Sequence, residues 1–591
     1  MRTNPPPWPN FKHSSSPTIV LPVAKRRRFL DPPPPAPFPA PLVPRLVQAV
    51  AQAPIRLTDN LGKYAQDSAE LLQKVGWEQL VITRRGRSNL CSDVGSIPHP
   101  AARLLDHYRT SGAPVLMKTE EWSLERRDAA VRRGCHPSAN EHKTFLRGEM
   151  AEMVERGQWM VLPYSAVRKL PKARFSPPGV IPQRDRRPRL IVDYSYSGVN
   201  ADTVPLAPKE SMQFGNAFQR LLYQIFMADP RWGPVLMSKT DVSDGFYQGW
   251  LRAMGLMQLG LVMPLDTQDG EPLIAFPLAA PMGWVESPPF FTALSETAAD
   301  LGNAAIRAGR HPPPHRLERV ADTNPSPAPP SVALPMQTRR MVGKKSPLGY
   351  IDVYVDDFIG LAQGSRRRRN RIRSLLFHAV DQVFRPPHAD DPSHRKDPIS
   401  VKKLLKGDGA WETTKIILGW LVDTVAGTVH LPAHRLERLH AILDDFAPSR
   451  KRASAKSWHK LLGELRSMVL ALPGGHGLFS TLQDALSKAS PDGRIRLTKH
   501  VHDSLHDFRL LASQLHERPT RIAEIIPGET DHAGAADAAG IGMGGVWLPE
   551  EDSLPSTIKI PPILWRQEFP PEICMFVPDP VRLHYQFNRT Y

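Results

Sequence analysis

Two adjacent carboxylates interrupt the apolar stretch Ile351-Asp352-Val353-Tyr354-Val355-Asp356-Asp357-Phe358-Ile359-Gly360. The residues before the pair alternate with period two, and an apolar pair follows it. That pattern predicts a strand, a tight turn and a returning strand, with Asp356 and Asp357 at the turn. Side-by-side carboxylates in apolar surroundings repel each other and lose solvation, so they call for a compensating cation. Magnesium, with its preference for carboxylate and phosphate oxygen, is the natural candidate. A hairpin whose turn is merely acidic is the bland alternative, and the rest of the chain has to decide between them.

The chain has 591 residues, which implies two to four compact units. Lys and Arg total 76 against 59 Asp and Glu, a net charge of +17 that suggests a polyanionic partner, nucleic acid first. The three cysteines, Cys91, Cys135 and Cys574, lie far apart, which excludes a disulfide framework and fits a reducing compartment. No run approaches the ~18 apolar residues of a membrane span, and the N-terminus lacks a signal-peptide core. The expectation is a soluble intracellular protein, cytoplasmic and/or nuclear, with no membrane partner. Its oligomeric state is open.

Prolines are concentrated at the N-terminus and between residues 311 and 347. Residues 1–58 read as a disordered basic tail, in which Lys25-Arg26-Arg27-Arg28 is either a nuclear-import signal or a nucleic-acid contact. Residues 59–139 read as mixed and mostly helical, with no function legible. A helix over 141–158, with Phe145, Met150, Met153 and Val154 on one face, leads into the strand Trp159–Pro163. Arginines 184, 186, 187 and 189 then feed the strand Leu190-Ile191-Val192; arginine forks on a strand make a plausible triphosphate grip, or simply a solvated loop. Val235–Asp241 is an apolar strand ending in an acid. A Ser-Pro signal at Ser287-Pro288 starts a helix running to about 308. Arg366–Phe384 reads as a basic amphipathic helix. Lys415–Val422 and Thr428–Leu431 read as a hairpin around Ala426-Gly427, and Trp458, Leu461, Leu462, Leu465 and Met468 as one face of a helix.

If the Asp241 strand and the acid hairpin are sheet neighbours, three carboxylates meet, and such a cluster can hold two divalent ions for in-line phosphoryl transfer. In chain order stand Arg189-Leu-Ile-Val-Asp193-Tyr, Thr240-Asp241-Val-Ser-Asp-Gly-Phe246-Tyr-Gln, Pro281-Met-Gly-Trp-Val-Glu-Ser-Pro288, Tyr354-Val-Asp-Asp357 and Ile417-Leu-Gly419-Trp. This succession resembles the fingers, palm and primer-grip motifs of reverse transcriptases of the retroelement branch (retroviral, gypsy-like and DIRS-like), over about residues 140 to 475.

The resemblance implies an α+β right-hand polymerase of fingers, palm and thumb with an antiparallel palm sheet. Fingers and palm would span 140–432, with the proline-rich insertion 311–347 looped out, and a helical thumb or connection would span 433–520. It implies an RNA-directed DNA polymerase of a transposable element, extending a primer 3′-hydroxyl with dNTPs, with an RNA template, a DNA or RNA primer and two Mg2+ ions, Mn2+ being a substitute. Asp241, Asp356 and Asp357 match the catalytic metal-binding acids, and the Val242 carbonyl is a further ligand. Arg189, Val242, Phe246, Met282 and Gly283 match the nucleotide site, with Phe246 at the steric gate. Leu418, Gly419 and Trp420 match the primer grip. A lysine between Lys402 and Lys406 matches the general acid for pyrophosphate, in ambiguous register.

At the C-terminus, Asp537 within Ala-Ala-Asp-Ala-Ala-Gly-Ile-Gly-Met-Gly-Gly resembles the leading acid of an RNase H-like domain. The later carboxylates of such a site are not recognisable after it, so residues 521–591 are expected to be a partial, inactive RNase H-like α/β segment. The alternative for the whole chain is a degenerate retroelement product that binds nucleic acid without catalysis.

Overall fold

The structure, a computed structural model, describes residues 61–183, 186–208, 212–266, 269–322, 346–391, 395–469, 475–489, 493–517, 519–526, 533–539, 542–548 and 563–569. The chain divides into two units, Met1–Pro54 and Ile55–Tyr591, and every described residue belongs to the second. The expectations for residues 1–58, including Lys25–Arg28, and for the chain after 569 lie outside the described residues.

The acid hairpin forms where the alternation places it. Strands Gly349–Tyr354 and Asp357–Ala362 pair antiparallel with Tyr354 opposite Asp357, leaving Val355 and Asp356 as the two-residue connection. Val355 is left-handed, with φ 57°. A β-branched residue there costs about 1–3 kcal/mol, so the surrounding sheet has to enforce it. Asp357–Ala362 is the central strand, with Leu236–Asp241 on its other side. Being covered on both faces, it buries Phe358, Ile359, Leu361 and Ala362 completely. Each large apolar side chain buried this way contributes about 1.5–3 kcal/mol.

Helices Ser287–Arg307 and Arg366–Val383 pack together beneath this sheet, each close to its expected span. Asn303 joins the first helix to the outer strand: its side-chain amide donates to Ile351 O (2.7 Å) and its carbonyl accepts from Ile351 N (2.9 Å). The strand's free edge is thereby satisfied by a side chain rather than by another strand.

Glu296 of the same helix is held up to about 7 by burial first; Arg220 opposes, and Asp352 and Asp300 add to the rise. From the ordinary value of 4.5 up to about 7, the native state keeps a proton that the unfolded chain has released. Stability therefore falls as pH rises through that window and levels off above it. In Glu296→Gln this slope is reduced, which thermal unfolding between pH 4 and 8 would measure. Parallel profiles for variant and wild type contradict the assignment.

A second core lies further along the chain. Trp458, Leu461, Leu462, Leu465 and Met468 of helix Ala455–Met468 are buried with Trp420, Val422, Leu443 and Phe508. Met237, Ile359 and Leu361 of the acid-bearing strands reach into the same core. Here one expectation is corrected. Lys415–Val422 is not a single strand but a hairpin, Thr414–Ile417 with Trp420–Asp423, followed by the expected return at Thr428–His430. The break comes from Leu418 and Gly419, both left-handed at φ 48° and 82°. Two successive positive φ values suit the right-handed strand twist of a two-residue hairpin.

Helix Lys143–Glu155 buries Leu146 rather than Phe145, and Phe145 instead lies beneath the Arg187 guanidinium at 5.5 Å. Residues 311–322, expected to loop out with the insertion, are packed: His315 is buried, and Arg316 bridges Asp381 and Asp397. Ala533–Ala539, Gly542–Leu548 and Ile563–Glu568 form an antiparallel three-stranded sheet in which Asp537 stands opposite Gly544. Among the described residues no helix is long and apolar enough to cross a membrane.

Candidate active site

Register brings the acids together. Asp241, last residue of its strand, pairs across the sheet with Asp357, and Asp356, the second residue of the hairpin turn, immediately precedes Asp357. Val242 N donates to Asp356 O at 3.0 Å, so the hairpin turn is laced to the end of the Asp241 strand. A further segment runs along that end: Ser400 N donates to Asp241 O and Ser243 N to Pro398 O, both at 2.8 Å, and Val242 bridges Ile399.

The carboxylates are crowded. Burial raises Asp241 above the ordinary carboxylate range, helped by a hydrogen bond with Asp357, while Lys403 opposes the rise. Asp356 is raised too, by burial first and then by the charge of Asp357, with Lys403 and Arg189 opposing. Lost solvation and mutual repulsion both favour the protonated carboxyls, and a nearby cation acts against that.

A cation already stands there. Lys403 donates to Asp241 Oδ1 and lies 3.7 Å from Asp357 Oδ1. Burial acts against the charged amine, but Asp241, Asp357 and Asp356 together outweigh it and the net shift is upward. Among the described residues, no group of three or more His, Cys, Asp or Glu side chains is arranged to hold a metal ion as it stands. The donor set itself fits magnesium: three hard carboxylates at one strand end, with an ammonium as stand-in cation. The residues that would hold the ions are Asp241, Asp356 and Asp357 with the Val242 carbonyl.

Around the acids, the other expected residues are partly gathered. Arg189 is exposed on strand Arg186–Val192, opposite Ile181, and its charge is felt by Asp356. Arg187 is instead engaged by Glu149 and Glu152. Gly283 has φ 98°, and a Cβ there would lie 2.4 Å from Val192 O, so only glycine lets the 281–286 loop lie against the arginine strand. Asn200 Nδ2 fastens that loop by donating to Gly283 O at 2.9 Å. Met282 is half-buried, and its backbone bonds to the Tyr247 hydroxyl. Phe246 is half-buried, meets Phe291 edge-on at 5.6 Å and lines an apolar cavity with Tyr108, Trp250 and Leu294.

Leu418 and Gly419 form the hairpin turn described above. Trp420 is buried, stacked on Phe218 at 6.0 Å with the Arg435 guanidinium 5.5 Å away, so it anchors that turn in the second core. Asp537 belongs to the separate C-terminal sheet, and its side chain lies outside the described residues. Sequence reasoning did not single out Lys403 from its neighbours. It missed Arg220 with Asp352, and Arg316 with Asp397, entirely.

No family model matches the chain, and no curated protein matches it. Among solved structures it is similar to foamy viral protease-reverse transcriptase dRH in complex with double-stranded DNA, at 13% identity and TM-score 0.41, covering 85% of this chain and 69% of that one. A second structure, of foamy viral protease-reverse transcriptase with double-stranded DNA, is similar at 14% identity and TM-score 0.41, covering 90% of this chain and 84% of the other.

Proposed function

We propose that this chain is an RNA-directed DNA polymerase of a transposable element, a nucleotidyltransferase that extends a DNA or RNA primer with dNTPs on an RNA template. The register of Asp241 against Asp357 carries the reading, because it brings Asp241 to the adjacent pair Asp356-Asp357, far from it in sequence, at one strand end. Asp241, Asp356, Asp357 and the Val242 carbonyl would hold the magnesium, or in its place manganese. Two such ions, when bound, supply Lewis-acid activation of the 3′-hydroxyl and charge neutralisation at the leaving pyrophosphate.

The remaining residues position the substrates. Arg189 grips the triphosphate by a guanidinium fork. Gly283 and Met282 line the nucleotide site, and Phe246 packs under the sugar and disfavours a 2′-hydroxyl. Leu418 and Gly419 hold the primer strand on a turn anchored by Trp420. Lys403, the lysine of the 402–406 stretch that reaches the acids, protonates the pyrophosphate.

The test is primer extension by the wild-type chain on an RNA template with magnesium. Template-directed dNTP addition that stops on chelation is expected. Tight, salt-dependent binding of the hybrid without any extension overturns catalysis and leaves a nucleic-acid-binding product.

A further inference from the structure

We infer that Lys403 is the resident counter-cation of the acid cluster and competes with divalent ions for the same carboxylate oxygens, so that ion binding expels its ammonium from Asp241. The inference rests on the polymerase reading for its purpose, but its physical content is a competition within the unliganded protein.

The backbone beneath Lys403 cannot withdraw as a block. Ser400 N holds Asp241 O, and Ser243 N holds Pro398 O. Asp397, almost fully buried, is gripped by the Arg316 guanidinium through Nε at 2.8 Å and a terminal nitrogen at 2.9 Å, and its own carboxylate accepts from Ile399 N at 2.9 Å. Arg316 in turn is fastened to Asp381 on helix Arg366–Val383. The segment is pinned from both sides, and the flexible part is the lysine stem, whose side chain is 43% exposed.

The ammonium donates to Asp241 and stands within ion-pair distance of Asp357, so it uses oxygen lone pairs that a hard divalent ion requires. With it present, the cluster is partly neutralised and its attraction for a second cation is reduced. Once expelled, the ammonium on its flexible stem is free of Asp241 and available as a proton donor. Cation binding and delivery of an acid are then one event.

Lys402 provides the control. It is the preceding residue on the same short helix, carries the same charge, and is exposed. The experiment titrates Mn2+ into the protein without nucleic acid or nucleotide, followed by electron paramagnetic resonance of the free ion. Lys403→Met is expected to bind Mn2+ roughly 3–5-fold more tightly than wild type, the size of a lost partly exposed ion pair. Lys403→Gln should do the same, and Lys402→Met should change affinity by less than about 2-fold. Unchanged or weaker binding in both Lys403 variants overturns the inference, as does an equal gain in Lys402→Met, which would make the effect one of net charge. Primer extension by wild type is read separately: tighter Mn2+ binding in Lys403→Met without any wild-type extension overturns the polymerase reading alone.

Discussion

Asp356→Asn is expected to abolish primer extension, lowering the rate on the order of 10³-fold, while leaving the fold intact or slightly more stable. The two effects have one cause. Asp356 sits where burial and the Asp357 charge both oppose its ionisation. Keeping it charged therefore costs stability, and in the polymerase reading the charge acts on the bound ions. A ligand carboxylate contributes several kcal/mol of charge stabilisation in the transition state, which at 1.36 kcal/mol per decade gives the stated loss. Asparagine keeps the shape, so the Val242 N to Asp356 O lacing of the turn persists. Removing one of three mutually repelling groups should leave thermal stability equal or raised, the usual trade between stability and activity. Extension assays and thermal unfolding on the same preparation check both halves. Retained extension would contradict the assignment of Asp356; lost extension together with a large loss of stability would make the residue structural.

The acid hairpin was legible because its information is local: alternating apolar residues, a two-residue turn and a returning apolar strand need no distant partner. Its pairing with the Asp241 strand was legible through the motif order, and the register agrees. The break at Leu418-Gly419 was not, since a leucine at φ 48° has no propensity signal; the turn it belongs to is followed by Trp420, stacked on Phe218 in the second core. Lys403 could not be chosen from Lys402 and Lys406 by pattern, because three lysines within five residues are equivalent in sequence until the fold places the segment, with Ser400 N on Asp241 O. Phe145 and Leu146 are adjacent apolar residues, and only the packed neighbour decides which faces inward. Buried ion pairs such as Arg316–Asp397 join residues far apart in sequence, where neither partner carries a local cue.

The same holds for the pair that supports the hairpin from below. Asp352 is 2% exposed, and Arg220 grips it through Nε at 2.9 Å and a terminal nitrogen at 2.5 Å. Tyr350 O–H and Val353 N donate to the same carboxylate at 2.8 and 2.9 Å. Arg220→Met is expected to destabilise the fold by about 3–5 kcal/mol, the usual consequence of leaving a buried charge without its partner. Asp352→Asn in the wild-type background should cost less, because the neutral amide needs no counter-charge. The double variant should cost less than the two singles added together, as expected for groups in direct contact. Denaturant unfolding of the four proteins closes the cycle, and additivity would mean that Arg220 acts by packing alone. A second readout separates charge from volume. Arg220 is the cation that holds Glu296 down, with Asp352 pushing it up. Losing Arg220 should therefore carry the Glu296 carboxyl still higher and extend the pH-dependent loss of stability above pH 7. Asp352→Asn should move the same window in the opposite direction. A packing defect predicts no such displacement, so the direction of the pH shift decides between the two accounts.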